Sequence, residues 1–377
     1  MSLSHTLNLP AVIFDNGSGL CKAGLAGDGF PRSVINTVIG RARSEFGLLG
    51  ANRKNYYVGK EAQDLRGILS LTHPIEHGIV TSWSDMEKIW EHMYTCELQI
   101  QSSDRSVLLS EAPLNPTDNR EKMTEVMFES FNVPAMFVAS QATLSLYANG
   151  RTSGLVLDIG DGVTTTFPIY EGFHLTHAGN RLNIAGRDIT DYFMRLLMET
   201  GLSLVSSAEK EITRDMKEKL CYVALDPREE MKKDFKDCST EYTLPDGKVV
   251  TVAHQRFRAP EILFSPSING TEAPGVHTMI IDSILKCAVD TRKALFKNIL
   301  LSGGSTLFPG FEERVHNEIQ AMAPETVQVK VLAPDDRNFA VWIGGSILTC
   351  LESFREMWIT SADYREFGPA VVHDKCA

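Results

Sequence analysis

The sequence predicts an α/β protein built from two related halves. Residues 11–19 and 155–162 are alike, because each is a short apolar run that ends in Asp and continues into Gly-x-Gly, which is typical of a buried strand entering a tight turn. Helical patterns lie between strands of this kind and indicate helices packed on sheets. The chain has 377 residues, and single cores rarely grow beyond roughly 250–300 residues, so we expect two domains.

The helical patterns and two polar regions complete this outline. The helical patterns cover residues 84–96, 119–131, 141–148, 188–201, 207–222, 280–288 and 310–322. Residues 44–57 and 228–250 are polar and carry turn residues, so we interpret them as mobile insertions on the α/β frame. No low-complexity linker divides the chain, which predicts tightly joined domains.

Composition excludes several classes of function. The net charge of −11, with both signs mixed along the chain, argues against direct binding of nucleic acid, which usually requires a basic face. The seven cysteines form no C-x-x-C pair, a pattern of free thiols in a reducing compartment without a zinc site. No apolar run approaches the ~18 residues of a membrane helix. We therefore expect no membrane insertion and a location in the cytosol or nucleus.

The two Asp and Gly-x-Gly turns suit a phosphate ligand with a cation. Glycine has no Cβ, so the backbone can approach an anion and direct N–H groups at it. Asp15 and Asp158 could hold a hydrated Mg²⁺, which needs only one or two carboxylates, and Lys22 could neutralise phosphate charge. Residues 300–310 are glycine-rich and could lie against a nucleoside. The alternatives are plain hairpins, a solvated lysine and a simple strand-to-helix loop.

These three segments together resemble the two phosphate loops and the adenosine loop of the actin, Hsp70 and sugar-kinase superfamily. Further motifs make the sequence similar to actin and its close actin-related proteins from about residue 12 to residue 376. The matching segments are residues 15–24, 74–78, 111–116, 119–123, 342–346 and 357–359.

The resemblance implies a duplicated actin-like ATPase fold of the ribonuclease H-like type. Two large domains, each of two subdomains, would surround a nucleotide cleft. The implied boundaries are 1–36, 74–148 and 340–377 for subdomain 1, 37–73 for subdomain 2, 149–184 and 272–339 for subdomain 3, and 185–271 for subdomain 4.

The resemblance also implies a binding site for ATP or ADP with Mg²⁺ or Ca²⁺. Asp15 and Asp158 match the residues that hold the metal through water, and Gln141 matches the residue that orients the attacking water. An amide suits that role because it donates and accepts but cannot ionise, whereas an ordinary glutamine on a helix surface is the alternative. The positions that match phosphate and adenosine contacts are Gly17, Ser18, Gly19, Leu20, Lys22, Gly160, Asp161, Gly162, Val163, Gly186, Arg214, Lys217, Glu218, Gly303, Gly304, Leu307 and Phe308.

Departures from the family pattern predict slow or residual ATPase activity at most. Ile159 stands where actin usually has Ser, and Thr165 stands where it has His. Isoleucine offers no hydroxyl to a phosphate, and threonine is no base near neutral pH. Asn338 replaces a family lysine near the adenine, which predicts a weaker grip on the nucleotide.

Surfaces that serve assembly in actin have diverged as well. Residues 44–53 keep the length of a loop that reaches the next subunit, but their chemistry differs. Residues 266–271 replace an apolar plug with a segment that includes Asn and Thr, and burying unpaired polar groups costs roughly 1–3 kcal/mol each. We therefore expect weakened self-polymerisation. The apolar groove of actin that accepts a partner helix is matched by Tyr147, Gly172, Ile347, Leu348, Leu351 and Met357, for which ordinary core packing is the alternative.

The resemblance thus predicts an ATP-binding actin-related protein of the cytoplasm and cytoskeleton. It would be filament-associated or a subunit of a specialised actin-like assembly, with actin-binding proteins and actin-like subunits as its partners. A nuclear actin-related subunit of a chromatin complex is an alternative, although the chain lacks the insertions common in that group. A sugar-kinase-like enzyme is a further alternative, for which the sequence offers no catalytic Asp beyond the two metal carboxylates.

Overall fold

The chain folds into two compact units. The computed structural model describes residues 7, 9–43, 54–204 and 206–376. The first unit comprises Met1–Thr152 and Asp336–Ala377, and the second comprises Ser153–Asp335. Each has its own large hydrophobic core, so the expectation of two α/β halves is confirmed. The finer division into four subdomains stays a prediction.

A six-stranded mixed sheet forms the centre of the first unit. Its central strand, Val12–Asn16, is buried along its whole length, pairs antiparallel with Leu20–Leu25 and runs parallel to Val107–Glu111. Apolar runs of this kind are typical of strands covered on both faces. In order across the sheet, the strands are Ile359–Thr360, Ala135–Ser140, Val107–Glu111, Val12–Asn16, Leu20–Leu25 and Ser33–Asn36.

Two small sheets and a set of helices complete the first unit. One small sheet holds Tyr57–Val58, Ile39–Ala42 and Leu69–Thr72, and the other pairs Ile75–Glu76 with Ile79–Val80. The α-helices are Gly59–Asp64, Trp83–His92, Thr117–Glu129, Gln141–Ala148, Ala340–Cys350, Ser361–Phe367 and Val371–Lys375. The helix that begins at Trp83 continues as a π-helix, Met93–Leu98, and the 3₁₀ helices are Ser102–Asp104 and Glu352–Met357.

The second unit repeats the central pairing of the first. Gly154–Ile159 is fully buried, pairs antiparallel with Thr164–Tyr170 and runs parallel to Ile299–Ser302. The order across this sheet is Phe173–His174, Thr164–Tyr170, Gly154–Ile159, Ile299–Ser302 and Val331–Leu332, and Asn180–Leu182 also pairs with Thr164–Tyr170. This shared pattern is the structural counterpart of the duplicated sequence segments.

Helices cover this sheet, and a separate hairpin overlaps the polar region at 228–250. The α-helices are Gly186–Met198, Ser207–Leu220, Pro227–Glu230, Phe235–Cys238, Gln255–Arg258, Val276–Lys286, Val289–Phe296 and Phe311–Met322, and the 3₁₀ helices are Thr176–Ala178, Pro260–Leu263, Pro266–Asn269 and Gly304–Thr306. The polar region contains short helices and the hairpin Thr240–Thr243 with Val249–Val252, so it carries regular structure. Most of the other polar region, residues 44–53, lies outside the described residues.

Close helix packing in the first unit explains the motif at residues 342–346, which was singled out from the sequence. A Cβ added to Gly344 would lie 1.8 Å from the backbone oxygen of Leu144, so only glycine lets the helix Ala340–Cys350 approach the helix Gln141–Ala148 this closely. The neighbouring Trp342 donates from Nε1 to the carbonyl oxygen of Ile13 at 3.2 Å. The motif therefore packs its own helix against both the helix that begins with Gln141 and the central strand.

No helix within the described ranges is long and apolar enough to cross a membrane.

Candidate functional site

Each unit contains one of the two hairpins predicted from the sequence. In the first, Asp15 pairs with Lys22 across the strands, and the turn closes with a hydrogen bond from Gly17 N to Leu20 O at 3.1 Å. In the second, Asp158 pairs with Thr165, and Gly160 N donates to Val163 O at 3.1 Å. The two turns share one construction, with an aspartate near the end of the first strand.

The first turn is held through its carbonyl groups. Thr37 donates from Oγ1 to Gly17 O at 2.8 Å and from its backbone N to Gly19 O at 3.0 Å. A trans peptide unit points its C=O and the following N–H in opposite directions. The N–H groups of Ser18 and Leu20 are therefore directed away from Thr37. Backbone N–H groups of one turn that point the same way can form an anion-binding concavity.

The second turn is held in the same manner by other residues. Gly160 O accepts hydrogen bonds from Gly186 N at 3.1 Å and from the Ser305 hydroxyl at 2.7 Å, and Asp161 O accepts one from Arg187 N at 2.7 Å. The N–H groups that follow these carbonyls therefore point the other way, as in the first turn. Three segments that the sequence singled out separately meet at this turn: residues 158–163, the helix that begins at Gly186, and the loop at 303–308.

Asp15 is buried and oriented by three neighbouring groups. The residue is only 3% exposed, and its Oδ2 lies 2.7 Å from Lys22 Nζ. Its Oδ1 accepts from the Ser110 hydroxyl at 2.9 Å and from Gln141 Nε2 at 3.4 Å. This carboxylate is a hard oxygen donor in a fixed orientation, which suits a hydrated Mg²⁺ or Ca²⁺.

Gln141 is a buried residue at the first position of its helix. Its Nε2 donates to Asn16 O at 3.2 Å and to Ser110 Oγ at 3.2 Å, in addition to Asp15. The alternative of an ordinary glutamine exposed on a helix surface is therefore wrong. The residue lies beside Asp15, and its role in orienting water stays a prediction.

Lys217 and Gly303 extend the cluster in the second unit. Lys217 is 4% exposed and donates from Nζ to Gly186 O at 3.0 Å, and burial lowers the pKa of its ammonium group. Gly303 has φ of +87°, and a Cβ there would lie 2.3 Å from Ile159 O and 2.9 Å from Asp158 Oδ1. The glycine-rich loop therefore packs directly against the aspartate of the hairpin.

The remaining predicted residues differ in their surroundings. Arg214 forms ion pairs within its own helix, at 2.7 Å to Glu211 and 3.6 Å to Glu218, and Asp161 pairs with Arg187 at 3.0 Å. A Cβ on Gly304 would meet nothing within 4 Å. Leu20 and Leu307 are exposed, whereas Val163 and Phe308 are buried. Open space at Gly304 and the exposed Leu307 leave this part of the loop accessible to a ligand.

Both departures in the second hairpin point into the protein. Ile159 is fully buried in the core of the second unit, and Thr165 is 2% exposed on the paired strand. In the first hairpin the position opposite the aspartate holds Lys22, so the second hairpin lacks the corresponding ammonium group. The two hairpins therefore share a backbone but differ in their side-chain chemistry.

Sequence reasoning missed three polar residues that organise these turns: Asn16, Ser110 and Ser305. Asn16 donates from Nδ2 to Ser110 O at 3.4 Å and accepts from Trp90 Nε1 at 3.1 Å. The available signal was a polar residue within an apolar strand, as in the segment Val107–Glu111.

The carboxylates of the two hairpins fit a cation that is held through water. Among the described residues, no group of three or more His, Cys, Asp or Glu side chains could hold a metal directly. A water-mediated Mg²⁺ needs only one or two carboxylates, and the hairpin of each unit carries one, Asp15 in the first and Asp158 in the second.

Comparison with known families agrees with this geometry. The family model for actin matches residues 6–377, which is nearly the whole chain. Proteins of that family generally bind a nucleotide with a divalent cation. The matching segment includes both hairpins, Gln141 and the glycine-rich loop. The chain therefore belongs to the actin family.

Proposed function

We propose that this chain is an ATP-binding actin-related protein of the cytoskeleton, which binds ATP or ADP with Mg²⁺, or with Ca²⁺ in its place. The observation that carries the proposal is the construction of the two turns. In each turn, neighbouring residues bind the carbonyl groups, so the N–H groups that follow point away from those residues. N–H groups directed in this way suit phosphate oxygens. A plain hairpin does not require its turn carbonyls to be bound in this way.

The side chains have distinct tasks in this proposal. Asp15 and Asp158 would hold the cation through water, and Lys22 would add positive charge beside the phosphates. A bound divalent cation neutralises phosphate charge. Gln141 orients the water that attacks the terminal phosphate. Gly303 and Gly304 let the backbone approach the nucleoside, with Lys217 fixed behind Gly186.

Quantifying nucleotide released from the purified protein on denaturation tests the binding proposal. We expect adenine nucleotide in stoichiometric amount from the natural chain and much less from Asp15→Asn, which removes the charge at nearly constant shape. Asp28→Asn is the matched control, because Asp28 makes a surface ion pair with Arg32 at 2.7 Å in the same unit. Absence of nucleotide from the natural chain, even after incubation with Mg-ATP, would refute the proposal.

Weakened hydrolysis follows from the second hairpin. Positioned proton-transfer groups typically contribute about 10²–10⁴-fold to a rate, and neither Ile159 nor Thr165 can supply one. We expect phosphate release from bound ATP to be at least about tenfold slower than from conventional actin. Measuring phosphate release from both proteins side by side tests this, and equal rates would overturn it.

Weakened self-polymerisation is supported by the segment at 266–271. Pro266–Asn269 is a 3₁₀ helix in which Ile268 is 50% exposed, while Asn269 Oδ1 accepts a hydrogen bond from Arg195. Burying this segment between subunits would remove the asparagine from water and from Arg195, at roughly 1–3 kcal/mol for each unpaired polar group. The protein would then act beside actin filaments or within a specialised assembly of actin-like subunits. Long filaments of the pure protein in a sedimentation assay would contradict this.

An apolar patch on the first unit is the proposed partner surface. Ile347, Leu351 and Met357 are 42%, 48% and 44% exposed, and the first two are four residues apart, which places them on one side of the helix end. Such a surface fits the apolar face of an amphipathic helix from an actin-binding protein. We expect Ile347→Asp to abolish binding of such helices, while Phe367→Asp, at another exposed apolar residue of the same unit, leaves binding intact.

Cell fractionation tests the proposed cytoplasmic location. Recovery with the cytoskeletal fraction would support it, and exclusive recovery with chromatin would favour the nuclear alternative.

A further inference from the structure

Ser110 lies at the centre of a buried hydrogen-bond network in the first unit. It is 1% exposed in the strand Val107–Glu111. Its hydroxyl oxygen is 3.0 Å from Asn16 N, 3.2 Å from Gln141 Nε2 and 2.9 Å from Asp15 Oδ1. One hydroxyl therefore contacts the proposed cation-binding aspartate and the proposed water-orienting glutamine.

The directions of these hydrogen bonds follow from the chemistry of the partners. A backbone N–H and an amide NH₂ can only donate, so the bonds from Asn16 and Gln141 use both lone pairs of the Ser110 hydroxyl. Its single proton must then go to Asp15. The donor and acceptor capacity of the hydroxyl is used completely, which leaves it one orientation.

This network also fixes which end of the Gln141 amide faces the hairpin. Three acceptors surround Nε2: Ser110 Oγ, Asn16 O at 3.2 Å, and Asp15 Oδ1 at 3.4 Å. A side-chain oxygen in that place would face lone pairs instead of donors. The nitrogen therefore faces the hairpin, and the planar amide directs Oε1 away from it.

We infer that Ser110 is a positioning residue for ATP hydrolysis. It orients the Gln141 amide so that Oε1 accepts a hydrogen bond from the attacking water. This inference rests on the proposed function. An amide oxygen accepts hydrogen bonds and does not ionise, so Oε1 can orient the water without any change in the charge of the side chain.

The backbone of Ser110 is restrained as well, which makes the hydroxyl a fixed reference. Ser110 O accepts from Asn16 Nδ2 at 3.4 Å, and Asn16 Oδ1 accepts from Trp90 Nε1 at 3.1 Å. Asn16 is thus held from two sides, and the network extends to a fully buried tryptophan.

A matched set of variants isolates the hydroxyl. Ser110→Ala removes it, and Ser110→Thr restores it. Ser106→Ala is the control. Ser106 is also buried and immediately precedes the strand Val107–Glu111, and its Oγ has no hydrogen-bond partner among the described residues. If Ser110→Ala does not fold, Ser110→Cys replaces it, since a thiol is only a weak donor and acceptor.

The first readout does not depend on activity. Protein labelled with ¹⁵N at glutamine shows the NH₂ group of Gln141, assigned through its loss in Gln141→Ala. We expect the Gln141 NH₂ signals of Ser110→Ala to move toward those of a solvated amide and to exchange faster with solvent, while Ser106→Ala keeps the natural signals and Ser110→Thr recovers them. Unchanged signals in Ser110→Ala would overturn the inference.

The second readout is the hydrolysis rate of bound ATP in a single turnover. A misplacement of about 1 Å can cost ~10²-fold, so we expect Ser110→Ala to be slower by about 10- to 100-fold while its ATP affinity changes by less than about threefold. If Ser110 acts through Gln141, adding Ser110→Ala to Gln141→Ala should cause little further loss.

The outcomes separate the inference from the proposed function. A natural chain that binds no ATP would refute the proposed function itself. If the natural chain binds ATP, the inference is overturned by an unchanged rate in Ser110→Ala, by additive losses in the double variant, or by a natural chain that never hydrolyses its ATP.

Discussion

Replacing Gly303 with alanine should disrupt the loop that packs on Asp158. Its φ is +87° and its ψ is 150°, a backbone region that is essentially restricted to glycine and costs another residue roughly 1–3 kcal/mol. The added Cβ would lie 2.3 Å from Ile159 O and 2.9 Å from Asp158 Oδ1, so the backbone must shift, and forced repacking typically costs about 1–3 kcal/mol. Together these terms predict a loss of about 2–6 kcal/mol in the free energy of unfolding.

Urea denaturation measures this loss, and thermal unfolding gives a second estimate. For domains of this size, roughly 2–4 °C is lost per kcal/mol. Gly304→Ala is the stability control, because a Cβ there meets nothing within 4 Å and the residue has no positive φ, and we expect it to change the free energy of unfolding by less than about 1 kcal/mol. Gly303→Ala should also release less nucleotide, since Asp158 is displaced. A Gly303→Ala protein as stable as the natural chain, with full nucleotide content, would refute the reasoning.

Three further predictions concern packing, buried charge and thiols. Gly344→Ala should lower the free energy of unfolding by more than about 3 kcal/mol in urea, because its Cβ would lie 1.8 Å from a backbone oxygen of the neighbouring helix and overpacking is costly. Arg314→Met should cost about 3–5 kcal/mol at pH 7, because it leaves Glu261 buried without the partner that lies 3.1 Å away. Burial already raises the pKa of Glu261 above its ordinary 4.5. The loss should therefore shrink as pH falls and be smallest below 4.5, where the carboxyl group is mostly protonated in the folded and the unfolded protein; a loss independent of pH would contradict this. A thiol reagent should modify Cys96 and Cys350 in the native protein and all seven cysteines after unfolding, because the other five are buried.

Much of the fold could be predicted because its signals are local. Each strand that enters a Gly-x-Gly turn is marked by consecutive apolar residues and an Asp, and the helix Gln141–Ala148 begins and ends where its pattern predicted. The pattern at 84–96 predicted one helix, whereas the structure changes to a π-helix at Met93. At this change His92, the last residue of the α-helix, has its Nε2 3.4 Å from Oε1 of Glu97, five residues further along. Hydrophobic periodicity alone does not reveal that a helix widens from α to π.

Less of the candidate site could be predicted, because its organising contacts join distant parts of the chain. The aspartates and glycines were recognisable from their spacing. Ser110 and Ser305 were not recognisable, because Ser110 contacts Asp15, 95 positions away, and Ser305 contacts Gly160, 145 positions away. A buried serine in or next to an apolar strand has the same local pattern whether its hydroxyl lacks a partner among the described residues, as at Ser106, or is bonded to three groups, as at Ser110.

Thermal unfolding with and without nucleotide tests the central claim most directly. A ligand at 100 times its Kd stabilises the folded protein by about 2.7 kcal/mol. We predict that Mg-ATP raises the unfolding temperature of the natural chain, that ATP with a chelator raises it less, and that Asp158→Asn responds weakly to either. The same unfolding temperature for the natural chain with Mg-ATP, with ATP and chelator, and without ligand would contradict the account.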